Sequence, residues 1–122
     1  MELIILFGKI GGNYPEVYDR LHDRALIEDC LRMFLTDNSF STLKRAVESG
    51  SLDDVKESAH SLCDVARLLA LPELYYRASS METAANSLDC RKDDLIKSMS
   101  GIAELYEVIY NSIEKYCQQT DN

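Results

Sequence analysis

The 122-residue chain has two histidines, His22 and His60, and only His60 is set among side chains that could share a reaction with it. On a helix at 100° per residue, Lys56, Cys63, Asp64 and Arg67 fall within about 60° of His60 and form a polar stripe with it. Val55, Ser58, Ala59, Leu62, Val65, Ala66 and Leu69 fall on the other half, which is apolar enough to be the core face. The imidazole is therefore expected to face outward. Imidazole titrates near neutrality, so an exposed one can hold a neutral nitrogen whose lone pair attacks an electrophile. Glu57 and His60 also have the Glu-x-x-His spacing of di-iron bundles, which Asp19 and His22 echo. Such sites need inward ligands and two further carboxylates from other helices, and an outward His60 does not meet that demand. His22 reads as a helix-terminal, exposed residue, and Cys63 as an inert, half-exposed thiol.

The elements that must hold His60 in place are all helical in pattern. A helix over 51–71 is expected to open at Ser51, with Asp53 and Asp54 at the positive end of its dipole, and to stop before Pro72. Residues 15–22, 25–35 and 40–49 give shorter helices before it, the last closed by Gly50. After it, apolar spacings of three and four continue over 73–88 and 93–118. Gly11-Gly12-Asn13-Tyr14 breaks the chain after the apolar run 3–7, which is too short to span a bilayer and is expected to pack into the core. No strand-like alternation, internal repeat or low-complexity stretch is present, which leaves helix packed on helix.

Composition narrows the function classes. An apolar content of 46% over 122 residues suits one domain, residues 1–122, with one core. A net charge of −8 repels phosphate backbones and anionic lipid, so neither nucleic acid nor membrane is expected as a partner. Cys30, Cys63, Cys90 and Cys117 are widely spaced, without a Cys-x-x-Cys pair, as suits reduced thiols in a cytoplasmic protein better than a zinc site or disulfide framework. The seven tyrosines read as core-edge residues with wet hydroxyls.

Ala59-His60-Ser61-Leu62, followed by Ala70-Leu71 and Leu74, resembles the phosphorylation helix of histidine-containing phosphotransfer (HPt) proteins, whose pattern is Ala-His-x-Leu-Lys-Gly with a small residue ten positions after the histidine. Gly11-Gly12-Asn13-Tyr14, Phe34-Leu35-Thr36-Asp37 and Ser51-Leu52-Asp53-Asp54 extend the likeness to stand-alone bacterial HPt proteins over most of the chain. The resemblance implies an all-α, up-and-down four-helix bundle with extra short N-terminal helices. Residues 1–50 would cover the bundle, and 51–118 would supply the phosphohistidine helix and two further bundle helices. It also implies a function: His60 would take a phosphoryl group from one response-regulator receiver domain and give it to another, within a two-component phosphorelay. The partners would be a receiver domain, a hybrid histidine kinase, or both. Mg²⁺ would come from the receiver, with no cofactor on this chain. Family spacing further places Glu82 or Asn86 near His60, and Leu68 is a candidate for the apolar rim against which a receiver packs.

Two positions depart from the family pattern, its lysine being Cys63 here and its glycine Asp64. A cation and a gap are thereby replaced by a weak donor and a carboxylate. Lys56 and Arg67, on the same stripe, are the candidates to offset that carboxylate. The departure also leaves open an alternative, an HPt-like module that docks a receiver or kinase domain without carrying phosphate.

Overall fold

A computed structural model of the chain describes residues 2–120, which are 83% helical and contain no strand. Seven helices are described: α1 (Leu3–Lys9), α2 (Tyr14–Leu21), α3 (Arg24–Thr36), α4 (Ser39–Ser49), α5 (Leu52–Leu68), α6 (Pro72–Ala85) and α7 (Lys92–Thr120). Helix α5 packs most extensively on α6 and then on α4, while α7 receives α6, α3, α4 and α1. A single cluster of buried side chains runs through all seven helices, from Leu3, Leu6 and Phe7 to Ile113 and Tyr116.

The apolar run at the N-terminus is a short helix with two unlike faces. Leu3, Leu6 and Phe7 are buried, as expected for core packing, whereas Ile4 and Ile5 are exposed. Gly11-Gly12-Asn13 then turns the chain onto the α5–α6 junction, where the Asn13 amide donates to the Ala70 carbonyl at 2.9 Å. Gly12 has no room for a side chain there, because a Cβ would lie 2.7 Å from Phe7 Cδ2. The Asn13 side chain meanwhile caps α2 by accepting from the Glu16 amide.

Helix α5 begins as its sequence suggests, with the Ser51 hydroxyl accepting from the Asp54 amide and two acids in the first turn. It ends at Leu68, three residues short of the expected 71, because Ala70 takes a left-handed backbone, φ +51°. Pro72 then serves as the first residue of α6, where a missing N–H does no harm. Helix α6 stops at Ala85, also short of the expected 88, and leaves Leu88 fully exposed.

A contact from distant sequence finishes α5. Arg20 Nη2 on α2 donates to the Arg67 carbonyl at 3.0 Å and to the Leu68 carbonyl at 2.7 Å. A cation at this end satisfies free carbonyls and opposes the negative end of the dipole. Arg20→Ala is expected to lower stability by about 1 kcal/mol, given its solvent exposure. Urea titration measures this directly, and an unmoved midpoint would mean that water replaces the guanidinium without loss.

Candidate functional site

His60 lies in the middle of α5, and its position follows from what the opposite side of that helix buries. Val55, Ala59, Leu62 and Ala66 are buried, with Val55, Ala59, Leu62 and Ala66 all at 0% exposure. The His60 side chain is 60% exposed. One helix thus has its apolar face fixed in the core and its imidazole turned to solvent, on a rigid element capped at both ends.

Two carboxylates flank the ring. Nδ1 lies 3.2 Å from Oε2 of Glu82 on α6, and Nε2 lies 3.9 Å from Oδ2 of Asp64, one turn further along α5. The first is a hydrogen bond when Nδ1 carries the proton. In that tautomer Nε2 holds the lone pair. Glu82 is only 31% exposed, so it is held between helices and can fix the ring's orientation.

The remaining candidates occupy other positions. Asn86 is exposed at the end of α6, where its side chain donates to the Glu82 carbonyl, bonding to that turn. Arg67 is drawn away by Tyr75, whose hydroxyl accepts from it at 3.3 Å and whose ring lies 5.3 Å below the guanidinium carbon. On its other side Arg67 pairs with Asp64 at 3.7 Å. Lys56 points to Asp53 at 3.6 Å. Leu68 is half-buried and borders a small apolar cavity of about 50 Å³ with Met33, Phe34 and Val65.

Cys63 is the clear correction. Expected half-exposed on the polar stripe, it is buried at 3% exposure, with its Sγ 3.9 Å from the Tyr75 carbonyl. The cause is α6, which covers the flank of α5 that the stripe was taken to leave open. Burial pushes the thiol up to about 11, and Glu82 and Asp64 push in the same direction. Burial thus disfavours the thiolate, through want of solvent more than through its neighbours. At pH 8 roughly one molecule in a thousand carries the thiolate. Iodoacetamide should leave Cys63 unmodified in the native protein and modify it after unfolding in urea, a difference that peptide mass mapping reads. Rapid native alkylation would show that α6 does not cover this position.

A shallow hollow on this face is lined by Asp53, Lys56, Glu57, His60, Ser61 and Glu82. A larger cavity, about 610 Å³, lies instead between α4 and α5 among Thr42, Arg45, Ser49, Ser58 and their neighbours, and it meets the histidine hollow only at Glu57 and Ser61. Among the described residues, no three or more His, Cys, Asp and Glu side chains are placed to hold a metal ion. Glu57 and His60 are both exposed, so the Glu-x-x-His pair faces solvent rather than the interior that a di-iron site requires.

No protein-family model, curated protein or solved structure matches this chain. In the same described residues no helix is long and apolar enough to cross a membrane.

Proposed function

We propose that the protein is an HPt-like phosphoryl carrier in which His60 accepts a phosphoryl group from the aspartyl phosphate of one receiver domain and donates it to another. The observation that carries this reading is the placement of His60, its side chain 60% exposed and held at Nδ1 by Glu82, on a helix anchored along its opposite side. In the transfer the Nε2 lone pair forms a bond to phosphorus as the bond from phosphorus to the aspartyl oxygen breaks. The receiver's carboxylate leaves with that electron pair, while the proton on Nδ1 stays directed at Glu82. Positioning is what phosphoryl transfer chiefly demands of a carrier, and the Mg²⁺ and acidic pocket belong to the receiver.

The finer fold reading accompanies it. Contacts that pass from α4 to α5, α6, α7 and back to α4 support a four-helix bundle, with the helices before α4 laid against it. Free thiols at all four cysteines suit the reducing cytoplasm where such relays work.

A second reading has its own observation: Asp64 stands at the nitrogen that must attack, which favours a docking module that binds a receiver without accepting phosphate. Incubation with a ³²P-labelled receiver separates the two. Label on the chain, mapped to the His60 peptide, supports the carrier. A stable complex without label supports the docking module and overturns the carrier.

A further inference from the structure

The charge around His60 carries one step more, which rests on the reading of His60 as a phosphoryl acceptor. We infer that Asp64 acts as a charge filter on this histidine, opposing transfer from a bare phosphoryl anion and admitting a donor that brings its own cation beside the phosphoryl group.

The geometry leaves little alternative for an approaching anion. Glu82 occupies the Nδ1 side at 3.2 Å, so Nε2 is the nitrogen available for attack, and Asp64 lies 3.9 Å from it. Asp64 is 56% exposed and projects into the same solvent through which a donor must come. The neighbouring cations offset it only in part. Arg67 pairs with the far oxygen of Asp64 at 3.7 Å, on the side away from the ring, and Lys56 is engaged by Asp53. The hollow itself adds Glu57 and Asp53 to Glu82, so carboxylates outnumber cations around the ring.

A dianion in van der Waals reach of Nε2 meets Asp64 at a distance where repulsion in water slows reaction about tenfold, an effect that salt screens. Where the phosphoryl group arrives with Mg²⁺ or with a lysine or arginine at its flank, the same carboxylate attracts the incoming cation. The partner surface that fits this face is therefore cationic around the phosphoryl group. Asp64 is a specificity-determining residue in this scheme, and the nucleophile remains His60.

Phosphoramidate, a small anionic phosphoryl donor, tests the filter without any partner protein. Nε2 attacks phosphorus of the N-protonated donor, a net monoanion, as the phosphorus–nitrogen bond breaks and ammonia leaves with the bonding pair. Phosphate on the His60 and His22 peptides is followed by mass spectrometry in wild type, Asp64→Asn and Asp64→Glu, with His60→Gln as the blank. At low ionic strength Asp64→Asn should react at His60 about threefold faster than wild type, as a single net charge on the donor implies, Asp64→Glu should stay close to wild type, and His22 should not respond. The gap should close in high salt, and Mg²⁺ at matched ionic strength should close it further than Na⁺ does. Equal His60 rates in wild type and Asp64→Asn at low salt would overturn the filter while leaving the carrier reading intact. A Mg²⁺ effect no greater than that of Na⁺ would overturn its cation-admitting half. No phosphate on His60 in any variant would remove the filter and count against the carrier reading as well.

Discussion

A His60→Gln chain should take no label from a phosphorylated receiver while melting as wild type does. Glutamine keeps a polar side chain that can still donate to Glu82, but its amide nitrogen has no lone pair available for attack on phosphorus. Because His60 is 60% exposed and its contacts are hydrogen bonds at the surface, the change in stability should stay within about 0.5 kcal/mol. The expected outcome is therefore a separation: label falls to background, and the urea midpoint does not move. The bond formed on wild type should be a phosphoramidate, broken by acid and stable to alkali, as a phosphorus–nitrogen bond is and a serine ester is not. Ser61, next in sequence, is the neighbour that this chemical test excludes. Label persisting in His60→Gln would place the acceptor elsewhere and end the relay proposal.

How much of this site could be read from sequence differs residue by residue. The outward imidazole was legible because α5 obeys a simple rule, with apolar residues on one half of a 3.6-residue period. Cys63 was not, since a helical wheel describes an isolated cylinder and α5 has two flanking neighbours, α4 and α6, that widen its buried arc. Glu82 came only from the family's spacing, because nothing in the local pattern says which turn of α6 will lie beside His60. Arg20 gave no signal, its contact with α5 joining residues 47 and 48 positions apart. The early end of α5 was hidden for a different reason: a left-handed residue is usually announced by glycine, and here it is Ala70. Residues 3–7 defeated periodicity altogether, being apolar at every position, although only three of the five face the core.

Leu62→Ala should produce the converse of the His60 result, a large loss of stability with transfer intact in the molecules that remain folded. Leu62 is two residues from His60, about 200° around the helix, and is 0% exposed in the interior. Its truncation removes three carbons from a close-packed core shared by α5 and its neighbours, which cannot collapse fully around the gap. Losses of about 2–5 kcal/mol are usual for such a site. In urea the midpoint should fall with little change in slope, because the surface exposed on unfolding is nearly the same. Label transferred per folded molecule should match wild type, since Glu82 and the exposed side of α5 are untouched. A loss below about 1 kcal/mol would show that the helix is not anchored through this face. Transfer lost while the fold survives would show instead that the core sets the imidazole's position more finely than a rigid helix with two independent sides allows. Because the two substitutions lie two residues apart in one helix, opposite outcomes would separate anchoring from chemistry at a resolution that neither variant reaches alone.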